Sequence, residues 1–278
     1  PDVSYVHFHY KKSVTGYPVA EGMFNGTDFG SGVDIRWHKN VRNATSFFSA
    51  PSRYDFFGGY DHGRQAGVVH VADRHVSPGK KLFTWGYNQL ARTWERALTD
   101  TDGQYAELMA GSYSDNQPDF AWLEPLETKT FTHCWYPFKA IGEPRVANER
   151  LAVSVACENT AFFTRIYATE AIPGAHVVVA HGKRTLIERT IDLYPATPVV
   201  LECNLNSSLD HQQVAITVKG RSGLVLLEFK PAESEPARRP APVPAVPSPA
   251  ELSNPADLFR AGLHVEQYRD PLIAGAAY

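Results

Sequence analysis

Between residues 151 and 230, apolar and polar residues alternate in seven short runs: LAVSVAC, FFTRIYA, HVVVAH, TLIERTI, PVVLECN, QVAITVK and GLVLLEFK. Successive side chains of a strand point to opposite faces, so a period of two marks a strand with one buried face. The runs are separated by ENTA, IPGA, GKR, YPAT, NSSLDH and GRSG, all turn-forming in composition. About seven short strands at this close, even spacing predict an immunoglobulin-like β-sandwich over 141–230. It carries few paired chemical groups. Its expected role is structural, or to pack against what precedes it.

Residues 1–140 also read as β structure. Alternation marks strands in VSYVHFHY, VDIRWHKN (Val33, Ile35 and Trp37 on one face, Asp34, Arg36 and His38 on the other), ATSFFSA, GVVHVAD, KKLFTWG, YAELMAG and KTFTHCWYP. KKLFTWG places Lys81, Phe83 and Trp85 on one side, and YAELMAG sets Tyr105, Glu107 and Met109 against Ala106, Leu108 and Ala110. EGMFNGTDFGSG reads as a glycine-rich loop, and SPGK at 77–80 as a turn with Gly79 left-handed. LARTWERAL predicts one short helix, ended by TDTDG.

Residues 231–253 begin as PAESEPARRPAPVPAVPSPA, a Pro/Ala-rich linker that favours extended conformations and builds no core. Residues 254–278 then open a helical region. Asn254 is placed as an N-cap and Pro255 at the first helical position, with Leu258, Gly262, Val265 and Tyr268 as a stripe. Asp270–Pro271 predicts the start of a second helix. The chain opens on Pro1 and closes on IAGAAY, and the expectation is a piece of a longer protein.

A formal charge of −3 leaves no basic footprint for nucleic acid or an anionic membrane, and no apolar run approaches the ~20 residues of a membrane-spanning helix. Cys134, Cys157 and Cys203 are odd in number and not in a metal spacing, which predicts free thiols in a reducing compartment. Asn25 and Asn43 lie in Asn-x-Ser/Thr sequons, which also arise by chance. Glycine-rich phosphate loops and nucleophile elbows are missing from the sequence, so nucleotide binding and serine hydrolysis are poor hypotheses.

The unusual chemistry gathers between Tyr54 and Trp135, where aromatics, histidines and carboxylates interleave. His62, His70 and His75 with Asp61 and Asp73 are candidates for a metal site, but zinc ligands come in tighter pairs and strand parity separates His70 from Asp73. No metal is expected, and loop hydrogen bonding is the ordinary role for His75. Asp61–His62 follows Phe-Phe-Gly-Gly-Tyr, where glycines allow close backbone approach; the pair suits an acid/base couple or, equally, a loop-stabilising Asx turn. Glu107 sits mid-strand, where its carboxylate must face solvent, a salt bridge or a cleft. Trp85, Trp94, Trp122 and Trp135, with Tyr60 and Tyr87, offer stacking platforms for sugar rings, against the alternative of core aromatics. Arg64 and Lys80 or Lys81 could contact hydroxyls or carboxylates, although exposed basic side chains usually only solvate.

The segments YDFFGGYDHGRQAGVVHVADRHVSPGKKLFTWG, LTDTDGQYAELMAGSYSDNQPDFAWLEPLETKTFTHCWYP and LFRAGLHVEQYRD closely resemble a bacterial family of unknown-function domains that precede tetratricopeptide repeats. The resemblance implies a galactose-mutarotase-like β-supersandwich for residues 1–140, with its N-terminal half upstream of Pro1. It also implies a cytoplasmic location and protein partners reached through downstream helical repeats. Epimerases of that superfamily pair a His acid with a Glu base, and His70 or His62 with Glu107 are the nearest residue types here. The expected fold is therefore mostly β: part of a supersandwich, an immunoglobulin-like sandwich, a Pro-rich linker and the start of a helical repeat.

The leading functional expectation is a carbohydrate-active protein, a glycoside hydrolase before a sugar epimerase. Asp61, Glu107 and His62 are its catalytic candidates, and Tyr60, Arg64, His70, Trp85 and Tyr105 its substrate contacts. A hydrolase needs two carboxyls about 5–5.5 Å apart for retention or about 6.5–9.5 Å for inversion. The alternatives are a carbohydrate-binding module without catalysis and a structural interaction protein. No cofactor is expected.

Overall fold

The structure, a computed structural model, describes residues 3–6, 19–24, 26–48, 54–112, 123–158, 160–205, 209–210, 213–231, 246–268 and 277–278. It is mostly β. The first part contains β1 (Val3–Val6), β2 (Val19–Ala20), β3 (Met23–Phe24), β4 (Thr27–Asp28), β5 (Val33–Asp34), β6 (Thr45–Phe48), β7 (Phe56–Asp61), β8 (Ala66–Val71), β9 (Gly79–Thr84), α1 (Gln89–Leu98), β10 (Ala106–Gly111) and β11 (Cys134–Lys139). These form an antiparallel four-stranded sheet, β1-β7-β8-β11, and an antiparallel three-stranded sheet, β10-β9-β6. The pairs β2–β5 and β3–β4 are small hairpin-like additions, the latter inside the glycine-rich stretch.

Two expectations for this part are corrected. VDIRWHKN is a strand only over Val33–Asp34, because the Asp34 carboxylate accepts the Arg36 backbone N–H and turns the chain into a 3-10 turn at His38–Asn40. The turn at SPGK lies earlier: Asp73 accepts the His75 N–H through its side chain and the Ser77 N–H through its carbonyl, while Gly79 already belongs to β9.

All seven sandwich runs are strands. With β12 (Val146–Ala147) ahead of them, they are β13 (Leu151–Glu158), β14 (Ala161–Ala168), β15 (Ile172–His181), β16 (Arg184–Leu193), β17 (Val199–Asn204), β18 (Val214–Lys219) and β19 (Val225–Phe229). Their sheets are β12-β13-β14-β17 and β16-β15-β18-β19. The chain crosses between sheets at β14–β15, β16–β17 and β17–β18, the Greek-key order of an immunoglobulin-like sandwich.

The four-stranded sheet is covered on both faces. On one, Phe57 joins Phe47 and Leu82 of the three-stranded sheet in a single apolar cluster. On the other, Phe56, Tyr60, Val69, Tyr136 and Phe138 merge into the core of the sandwich. Consequently β13 begins with four consecutive buried residues, Leu151–Ser154, rather than an alternating pair of faces. The Tyr136 hydroxyl donates to the carbonyls of Asn148 and Leu151, and the Ser154 hydroxyl to that of Ile141. Gly67 is required at this joint: a Cβ there would stand 2.4 Å from the Gly59 carbonyl and 2.5 Å from the Phe138 ring. Gly58, beside Phe57, is likewise required by strand packing: a Cβ there would stand 2.3 Å from the Val68 carbonyl.

After the sandwich, residues 232–245 of the predicted linker lie outside the described residues. Its end forms a 3-10 turn at Pro249–Glu251, where the Glu251 carboxylate accepts the backbone N–H and the hydroxyl of Ser248. α2 (Pro255–Tyr268) starts where expected, with Asn254 accepting the Ala256 N–H, and buries Gly262 and Val265. The second helix predicted at Asp270–Pro271 falls outside the described residues. No helix among the described residues is long and apolar enough to cross a membrane.

Candidate ligand-binding face

Directly opposed residues of an antiparallel pair share a face. Leu82, Thr84 and Lys80 of β9, opposite Leu108, Ala106 and Ala110 of β10, point toward the four-stranded sheet and are buried or partly so. The outer face therefore carries Lys81 beside Met109, Phe83 beside Glu107 and Ser46. Trp85 and Tyr105, one step beyond, continue it. Three of the sequence candidates, Trp85, Tyr105 and Glu107, are thus brought together on one half-buried surface.

The Glu107 carboxylate beside Tyr105 is the first cause of a raised phenol pKa, since ionising the phenol would set two anions side by side. Trp85 meets Phe83 edge to face at 5.1 Å and stacks on Trp94 at 4.8 Å with ring planes 11° apart. That stack is made by the turn into α1. Gly86 takes φ +75°, and any Cβ there would lie 2.4 Å from the Arg42 carbonyl, which accepts the Tyr87 and Asn88 N–H groups. Asn88 then caps α1 through the Ala91 N–H and is itself tied to Asn43. Asn43 also bonds Thr27, so this sequon residue has a structural role. Trp94 and Tyr87 remain about 40% exposed at the rim. Two buried polar atoms at this end, Trp85 Nε1 and Gln104 Oε1, have no hydrogen-bond partner among the described residues.

The other candidates lie on the four-stranded sheet and do not join this face. Asp61 ends β7, and its carboxylate accepts the Gly63 and Arg64 N–H groups, so it makes the Asx turn of the β7–β8 hairpin. Asp61 thus belongs to the four-stranded sheet, whereas Glu107 lies on β10 of the three-stranded sheet. Arg64 projects from the hairpin tip with its side chain 71% exposed. Tyr60 is buried in the joint, stacked on Phe138 at 5.7 Å, and burial raises its pKa. His62 packs on Trp37 at 4.7 Å and lies 3.7 Å from Glu143, which also faces Arg36. The three histidines weighed as ligands are thus separated, and no metal-holding cluster occurs among the described residues. Trp122 falls outside the described residues.

Between the two sheets lies a polar layer that the sequence reading largely missed. His70 is fully buried among Phe57, His133 and Trp135, at 4.7–4.8 Å ring to ring. His133 shares a 2.7 Å hydrogen bond with buried Ser77. Lys80, expected to be exposed, is 1% accessible and donates to the Tyr54 carbonyl. Burial brings its pKa down to about 8, with the Asp55 carboxylate pulling it back up and Arg74 pushing it down. His38, beside Thr84, is held to about 4, chiefly by burial. The parity of Lys80 with Leu82 and Thr84 was the available signal. Cys134, Cys157 and Cys203 are all free, with Cys157 exposed.

Comparison with known proteins divides the chain where the structure does. Residues 17–138 match the model of a domain of unknown function (DUF5107). Residues 146–229 match the second domain of YphG-like proteins. The boundary falls between β11 and β12. A solved TPR-domain containing protein from Parabacteroides distasonis is similar at 17% identity over 49% of this chain and 21% of that one, with a TM-score of 0.28. This chain therefore corresponds to about a fifth of that protein's length.

Proposed function

We propose that the outer face of the three-stranded sheet recognises a carbohydrate, as a binding surface without hydrolysis. The observation that supports this reading is the stacked Trp85–Trp94 pair at the end of the face that carries Tyr105 and Glu107. Stacked indoles present a flat apolar surface to the C–H face of a sugar ring, and an adjacent carboxylate accepts from hydroxyls. The hydrolase reading lacks its second carboxylate once Asp61 is committed to a hairpin turn. In this reading the two sheets of residues 1–140 are part of a galactose-mutarotase-like supersandwich. The helical region that starts at α2 offers a protein-binding scaffold, and the whole acts in the cytoplasm.

The test is a glycan array probed with the protein, together with a glycoside panel assayed for turnover. The expected result is retention of a defined glycan without turnover. Trp94→Ala should weaken that retention several-fold, about 0.5–1.5 kcal/mol for one lost ring contact. Glycoside turnover abolished by Glu107→Ala restores the hydrolase, and retention of no glycan removes the carbohydrate reading altogether.

A further inference from the structure

Buried polar groups in folded proteins are nearly all hydrogen-bonded, and one that is not calls for a reason. His70 is 0% exposed, and neither Nδ1 nor Nε2 has a hydrogen-bond partner among the described residues. Its ring is wedged between Phe57 on β7 and Trp135 on β11, with His133 meeting it edge-on at 4.7 Å. Opposite, β9 contributes buried Lys80 and Leu82, β6 contributes Phe47, and β10 contributes Leu108 and Ala110. The ionisable groups bearing on this layer are thus Lys80 and His133, with Asp55 and Arg74 behind Lys80. The carboxylate of that set, Asp55, is held by Arg74 at 3.0 Å. A protonated His70 would meet two basic neighbours.

We propose that the packing of the three-stranded sheet on the four-stranded sheet is an acid-sensitive latch, with the unpaired imidazole of His70 as its trigger. At neutral pH the neutral ring fills an apolar slot beneath Trp135 and closes the layer. Acid favours any state in which the ring reaches water, and water reaches it only when the sheets part. The sign is set by burial, which with the charges of His133 and Lys80 brings the folded pKa down from 6.5 to about 3. A base with a depressed folded pKa stabilises the closed state above its ordinary pKa, and that stability is lost as pH falls from 6.5 toward 3. His38, bonded to Thr84 at the far end of β9, acts in the same direction down to about 4. The sandwich has no buried histidine among its described residues, so the release is confined to the first part of the chain.

The test is hydrogen exchange on the whole chain at pH 7.5 and 5.0, corrected for intrinsic rates. Peptides covering β8 and β9 should lose protection on acidification while those of β13–β18 keep theirs. His70→Leu, which removes one titrating proton, should retain roughly 30-fold more protection in β8 and β9 at pH 5.0, a tenfold effect per pH unit below 6.5. Equal losses in both proteins, or a loss spread evenly through the sandwich, overturn the latch. Should the Leu variant not fold, ring resonances of His70 in the unaltered protein decide. An imidazole that titrates near 6.5 with β9 still protected refutes the proposal; one that stays neutral until β9 opens supports it.

Discussion

The two halves of this molecule solve burial differently. In the sandwich, β13–β19, five to ten residues long, bury Val, Ile, Leu and Phe largely in alternation, and Ser154 and Thr164 are the buried polar side chains among the described residues. In the first part, sheet strands of four to six residues bury His38, Thr45, His70, Ser77, Lys80 and Thr84. Apolar burial is non-directional and tolerant, whereas each buried polar group needs a specific partner or destabilises the fold. The basic side chains that are buried, His38, His70 and Lys80, all lie in the first part among the described residues.

Three substitutions probe that contrast, apart from the binding and exchange experiments. The largest effect is expected from Phe162→Ala, which empties a fully buried position of β14 in the sandwich core. A loss of about 3–5 kcal/mol by urea unfolding, unchanged between pH 7.5 and 5.0, fits a purely apolar core. A marked pH dependence of that loss would place a titrating group in the sandwich. Next, Asp55→Asn removes the carboxylate that offsets buried Lys80 and bonds Arg74. It should cost about 1–3 kcal/mol, with 1 M salt failing to reproduce the loss in the unaltered protein. Full screening by salt would mean that Lys80 is solvated. The smallest is Tyr136→Phe, which deletes the hydroxyl bonds to Asn148 and Leu151 across the joint. A cost of about 1 kcal/mol shared by both halves in one transition shows that they unfold together; two separated transitions show a joint too weak to couple them.

Period-two alternation located β13–β19 of the sandwich, where at most positions one face is wet and the other is not, but missed the two-residue β12, whose residues are both buried. It failed at Leu151–Ser154 only in that both faces are buried there, a consequence of what packs on the outside. In the first part, alternation correctly split Tyr105, Glu107 and Met109 from Ala106, Leu108 and Ala110, and gave Lys81, Phe83 and Trp85 one side. It could not say which strands pair. That pairing set Glu107 beside Phe83 and left Asp61 on another sheet, and it turned Lys80 inward.

What the sequence determined by itself was local: strand periodicity, the helix signals of LARTWERAL (Leu90–Leu98) and of the stretch opened by Asn254, and the turn chemistry that made Asp61 as good an Asx-turn residue as an acid. These follow from neighbours within a few positions along the chain. What only the tertiary structure decided was which distant residues share a surface. His70 and His133 are 63 positions apart, yet their rings are 4.7 Å apart because β8 and β11 pair in register. Burial of an imidazole without a partner is a property of that packing, and no spacing along the chain encodes it.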